Sequence, residues 1–160
     1  MSHTITFSII TTSDTRSRAE DSAGDALEQL IKREEWSVLS HVVVKDEVSE
    51  ISAAIVHAAD TLHADVILTC GGSGLSMRDV TPEATQAVCQ RNVPGIAEMM
   101  RAHSLTITPF AALSRAVCMQ RNSSLVVNLP GSEKAARENW EALVAVIPHA
   151  VKMTAGEGHK

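Results

Sequence analysis

Tyrosine is absent from this chain, and phenylalanine and tryptophan are down to two each: Phe7, Phe110, Trp36 and Trp140. That poverty argues against the aromatic platforms on which single-stranded nucleic acids stack. Positive charge is also short, with 14 basic against 19 acidic residues and a net charge of −5. No basic stripe is visible, so a nucleic-acid partner is not expected. An anionic small molecule stays open, because backbone amides and helix ends bind phosphate without net positive charge. Only three cysteines occur, at 70, 89 and 118, with no C-x-x-C. An odd count without that spacing disfavours a disulfide framework and a zinc ribbon. Free thiols in a reducing cytoplasm are the plain reading. The seven histidines form no H-E-x-x-H pair, and no metal is placed on them. No apolar run reaches about 18 residues, so no membrane span is expected. The start, MSHTITFSIITTSD, lacks a basic n-region and an A-x-A-like cleavage site. The expected location is the cytoplasm.

What is present suits one globular domain. The chain has 160 residues, of which 44% are hydrophobic and 21% charged. A chain of this size can bury about 69% of its surface, enough for a core without cross-links. The domain is expected over 1–154, with a flexible tail at 155–160.

Apolar and β-branched residues at 4–10 read as a buried first strand. Ala23, Ala26, Leu27, Leu30 and Ile31 keep helical spacing. Residues 36–44 read as a second strand. Val48, Ile51, Ala54, Ile55, Ala58, Ala59 and Leu62 mark a second helix. Residues 65–70 form a third strand, apolar enough to be covered on both faces. A helix is predicted to open at Thr81-Pro82, with Thr81 as its cap and Pro82 at its first position. Another follows over 93–103. Residues 116–121 and 125–129 flank Asn122-Ser123-Ser124, which predicts a hairpin with a three-residue connection. Ser132 caps a long final helix that Pro148 should kink or split. Strands alternating with helices indicate an α/β fold with a mostly parallel sheet, and the hairpin adds one antiparallel edge strand. Ligands in such sheets sit at the carboxyl ends of the strands. Four polar clusters fall there: Ser13-Asp14, Asp46-Glu47, Gly71–Gly74 and Pro130-Gly131.

Gly71-Gly72-Ser73-Gly74 follows a buried strand. Its glycines permit positive φ and close approach, so successive amides can wrap a phosphate, with Ser73 donating a further hydrogen bond. The bland alternative is a tight turn. The spacing is neither a Walker A loop nor G-x-G-x-x-G. Asp79 beside a phosphate loop repels its ligand unless a cation such as Mg²⁺ intervenes; otherwise it makes an Asx-turn. Asp46 reads alone as a helix cap and gains a functional claim from sharing the sheet edge with Gly71 and Asp79. Glu47 suits the first helical turn. Ser104 and Ser114 bracket an irregular stretch and serve as local caps on their own evidence. Arg115 either meets a phosphate or makes a surface ion pair. Cys70 has no histidine near it in sequence and reads as a small buried residue. Met99, Met100 and Trp140 read as core or as subunit contacts.

The stretch TCGGSGLSMRDVTPEAT (69–85) resembles the signature of the MogA/MoaB molybdenum-cofactor biosynthesis family, which is similar to the G domains of plant Cnx and gephyrin. TTSDTRS (11–17), VVVKDEV (42–48), VPGIAEMMR (93–101), SLTITPFAALSRA (104–116) and NLPGSEKAARENWEAL (128–143) extend the likeness over nearly the whole chain. The resemblance implies a three-layer α/β sandwich assembled as a homotrimer. It implies a molybdopterin adenylyltransferase: the phosphate of molybdopterin attacks the α-phosphate of Mg-ATP, giving adenylylated molybdopterin and pyrophosphate. By residue-wise carry-over, Asp46 and Asp79 would bind Mg²⁺ and support catalysis. Ser13, Asp14, Gly71, Gly72, Ser73, Gly74, Ser104, Ser114, Pro130 and Gly131 would bind substrate. A downstream molybdate-insertion protein would be the partner. The family loop usually carries threonine where this chain has Ser73; the hydroxyl is kept, and with it binding is expected. The alternative is a non-catalytic molybdopterin carrier of the MoaB type. The intact Arg78-Asp79-Val80-Thr81-Pro82 and Asp46 favour the enzyme.

Overall fold

A computed structural model of the protein describes residues 3–157. The apolar, β-branched runs become strands β1 (Thr6–Thr12), β3 (Val66–Cys70) and β6 (Ser124–Leu129), buried along their length apart from Thr6. β2 (Ser37–Val44), β4 (Arg91–Asn92) and β5 (Cys118–Arg121) complete one sheet in the order β2-β1-β3-β6-β5-β4. β2, β1, β3 and β6 run parallel, whereas β5 is antiparallel to β6 and β4 to β5. The antiparallel strand is therefore present as expected. The two-residue β4 beyond it was not foreseen, because it is too short to carry a period.

Side-chain alternation along each strand divides the core into two halves. Phe7, Ile9, Leu68 and Val127 pack under helices α1 (Ser22–Arg33), α4 (Pro94–Leu105), α5 (Glu133–Leu143) and α6 (Ile147–Thr154). Ile10, Ile67 and Val126 pack under α2 (Val48–Val56) and α3 (Thr81–Val88). Two helical layers over one sheet explain why the parallel strands read as continuous apolar runs. Phe7, Trp36 and Trp140 form one aromatic cluster with ring centroids 5.5–6.2 Å apart. Met100 is buried in the same half of the core, so Met100 and Trp140 are core residues.

Local departures from the predicted boundaries have physical causes. The second helix loosens into a π turn at His57–Thr61, which carries Ala58 and Ala59 into the core. Thr81 is not the cap of α3: Val80 holds that place and Pro82 shifts one position inward. The Thr81 hydroxyl instead lies 3.3 Å from that of Thr12 at the end of β1. The hairpin connection is two residues, not three, since Ser124 joins β6 and donates to Ala64 O at 2.6 Å. Asn122 takes a φ of 48°, which asparagine tolerates. Pro148 does divide the last helix: a 3-10 turn at Val144–Val146 separates α5 from α6. Of the tail at 155–160, residues 158–160 lie outside the described residues.

Candidate active site

Because β1, β2, β3 and β6 are parallel, the segments after Thr12, Val44, Cys70 and Leu129 meet at one sheet edge. The order reverses between β1 and β3, the usual place for a ligand crevice. Gly71 and Gly72 leave β3 with φ of 100° and 67°. A Cβ on Gly71 would stand 2.9 Å from Thr12 O; one on Gly72 would strike the Thr81 hydroxyl and stand 2.8 Å from that of Thr12. Only glycine fits both positions.

The loop carbonyls are held from behind. Gly72 O accepts from Thr81 N (3.0 Å) and Ser73 O from Arg115 N (2.8 Å). Gly74 O accepts from Arg115 Nε (2.7 Å). Among the described residues, the amides of 72–75 donate to no protein acceptor. In a trans peptide the N–H points opposite the preceding C=O. Tying back three carbonyls therefore presents a row of donors, the arrangement that binds an anion.

A cavity of about 410 Å³ opens in front of this row. Of the predicted site residues, Gly71–Gly74, Asp79, Ser104, Ser114, Pro130 and Gly131 line it. Ser13, Asp14 and Asp46 do not. Ser13 caps its own turn, accepting from Thr15 N (3.3 Å) and Arg16 N (2.9 Å). It lines a separate recess with Asp14, Arg16 and Lys45. Asp46 lies against the loop from another side, with Oδ1 3.3 Å from where a Gly72 Cβ would be. Asp79 Oδ2 lies 3.0 Å from the same point on Gly74. The two acids thus stand at neighbouring positions along the loop.

Neither acid makes the local bond that its bland reading required. Glu47, not Asp46, is the cap of α2, and its side chain caps nothing. Asp46 and Asp14 instead each accept the other's amide, at 3.0 and 3.1 Å. Arg78 grips Asp14 with two bonds of 2.9 and 3.0 Å and reaches Glu47 at 2.9 Å. These Arg78 bonds hold the Asp14 carboxyl below its usual range. Asp46 is pushed the other way, by burial first and by the Asp14 and Asp79 carboxylates, against the Thr12 hydroxyl. Asp79 reaches back to Ser76 N (3.3 Å) rather than forward in an Asx-turn. Cys70 is buried, its thiol pushed up to about 12 by burial, and its S–H points to Pro130 O at 3.3 Å. It offers no nucleophile.

The sequence reading missed the far end of the cavity, built by Arg101, Thr108, Phe110, Glu138 and Asn139. Asn139 Nδ2 donates to Ala135 O (2.8 Å) and Ser104 Oγ (3.3 Å). That leaves the Asn139 carbonyl oxygen and the Ser104 hydroxyl proton for a ligand. Arg101 spends one nitrogen on Ala116 O (2.7 Å). The available signal was spacing: 101 and 104 share a face of α4, and 135, 138 and 139 a face of α5. A second acidic group, Asp25, Glu28 and His41, lies apart on α1 and β2, where Arg18, Lys32 and Asp21 already bind its members.

Comparison with known proteins places the chain in a family. Residues 8–149 match the family described as "Probable molybdopterin binding domain". The molybdopterin adenylyltransferase of Helicobacter pylori is 38% identical over 157 residues, covering 96% of this chain and 89% of that protein. The crystal structure of the molybdopterin biosynthesis enzyme MoaB from Thermus thermophilus superposes with a TM-score of 0.88 at 42% identity, covering 95% of this chain and 97% of that one. The Mog protein of Mycobacterium ulcerans gives 0.88 at 34% identity, covering 97% and 99%. On motif, fold and site together, the chain belongs to the MogA/MoaB family of molybdenum-cofactor biosynthesis proteins.

Proposed function

We propose that the chain is a molybdopterin adenylyltransferase, transferring AMP from Mg-ATP to the phosphate of molybdopterin. The observation that carries this reading is one juxtaposition: a row of unpartnered loop amides with Asp46 and Asp79 beside it. The amides of 72–75 bind the molybdopterin phosphate. The pterin extends toward Ser104, Glu138, Asn139 and Arg101, whose donors and acceptors suit its amide-like edge, while Phe110 and Leu113 cover its ring.

Asp46 and Asp79 would hold Mg²⁺. Carboxylate oxygens suit a hard cation. Burial first, and the Asp14 and Asp79 carboxylates after it, raise the Asp46 pKa, and a cation would offset both. When bound, Mg²⁺ neutralises charge on the phosphates and orients them for in-line displacement. A phosphate oxygen of molybdopterin forms the new bond to the α-phosphorus of ATP. The bond between that phosphorus and the bridging oxygen breaks, and pyrophosphate leaves. The chain supplies positioning and no covalent intermediate, which agrees with the inert Cys70.

The same reading extends to a homotrimer in the cytoplasm that passes its product to a molybdate-insertion protein. The test is incubation with molybdopterin and Mg-ATP. Adenylylated product and pyrophosphate, both lost on chelation of Mg²⁺, are expected. Tight binding of molybdopterin without product would establish the carrier reading instead.

A further inference from the structure

We infer that Arg115 is a positioning residue for this transfer: it holds the phosphate loop open toward its ligand and fixes the backbone that carries Asp79. The inference rests on the adenylyltransferase reading of the site. Arg115 itself does not line the cavity, whereas its neighbour Ser114 does. It sits behind the loop. Its amide donates to Ser73 O, its Nε to Gly74 O and its Nη2 to Asp79 O, at 2.7–2.8 Å. Nη1 pairs with Glu83 in the first turn of α3.

These bonds bracket residues 74–79. The span between has little apolar anchorage, since Leu75 is 64% and Met77 94% exposed. Its ties are polar: Arg115, the Arg78 pairs with Asp14 and Glu47, and Ser76 with Asp79. Asp79 N holds Ser76 O at 2.9 Å, and among these side chains that of Arg115 reaches the carbonyls of Gly74 and Asp79. Ser73 O is held by the Arg115 main chain whatever the side chain; the guanidinium, by fixing Gly74 O, fixes the amide of Leu75 on the opposite side of that peptide. Fixing Asp79 O sets the backbone from which the Asp79 carboxylate projects. A charged fork makes the bonds to Gly74 O and Asp79 O stronger than neutral ones. Lysine keeps the charge but cannot span two carbonyls from one planar group.

The experiment compares the parent with R115A and R115K, reading the melting midpoint, the Kd of molybdopterin by calorimetry and kcat for AMP transfer. A folded R115A should show a molybdopterin Kd raised about tenfold, as expected for lost charge-assisted bonds. Its kcat should fall about a further tenfold, since a misplaced charge-stabilising group costs that much or more. Added guanidinium ion should restore both in part, ammonium ion should not, and R115K should fall between parent and R115A. Parent-like Kd and kcat in either folded variant overturn the inference. So does a folded, impaired R115A that guanidinium leaves unchanged. If R115A does not fold, R115K decides: impaired at an unchanged midpoint supports the role, and parent-like overturns it. A parent that binds molybdopterin but forms no product refutes the activity alone, and the Kd arm still decides Arg115. A parent that binds no molybdopterin overturns both.

Discussion

Single side chains in this site differ in what they can lose. Asp79→Asn keeps the hydrogen bond to Ser76 but removes the charge, and turnover should fall about 10²–10³-fold, the usual cost of one charge-stabilising element. The melting midpoint should hold, and near-parent kinetics would exclude a metal role. Asp46→Asn removes a carboxylate that its neighbours repel. Turnover should fall while the midpoint stays level or rises; a marked drop in midpoint would show that Asp46 serves the fold. Gly72→Ala should abolish molybdopterin binding, because even one methyl meets the Thr81 and Thr12 hydroxyls at a φ of 67°. Calorimetry with the folded variant checks this, and retained affinity would remove the loop from the site.

Between elements, the pairing of α1 with β2 depends on charge. His41 on β2 lies 2.6 Å from Asp21 and 3.0 Å from Glu28. Asp21 also accepts from Thr11 Oγ1 (2.5 Å) and Gly24 N (3.0 Å). Burial opposes charge on His41, but its bonds to Asp21 and Glu28 win and raise its pKa. A raised histidine stabilises fully below the unfolded value, about 6.5, and loses that contribution as pH rises through the folded one. Asp21 is opposite: burial works against its charge, the bonds from His41, Thr11 and Gly24 outweigh it, and stability falls as acid protonates it. The melting midpoint should therefore decline above about pH 6.5. His41→Gln should flatten that limb, and a flat parent profile would refute the coupling. Legibility followed the same boundaries. Strands β1, β3 and β6 were readable because their period is local, whereas Asp46 read alone as a helix cap and the roles proposed for it and Asp79 came from the family resemblance. Arg101, Glu138 and Asn139 were not readable, because their faces of α4 and α5 gain meaning only once packed beside the loop. Arg115 stayed ambiguous because its partners, apart from Glu83, are backbone carbonyls, which have no side-chain signature.

At the scale of the molecule, Leu75 and Met77 leave apolar surface exposed in the loop beside the ligand site. With the family membership this supports self-association, and light scattering should give about three times 17.1 kDa. A mass near 17.1 kDa at micromolar concentration would reject the trimer. The recess at the other end of the sheet has a separate consequence. His3, Asp65, Ser123 and Glu157 all border it, and His3 is bonded to Asp65, just ahead of β3, at 2.8 Å. The two described ends of the chain are thus neighbours at the strands' starting edge, while the ligand enters at their finishing edge. A tag, surface tether or appended domain at either end would therefore stand clear of the path by which molybdopterin and ATP arrive.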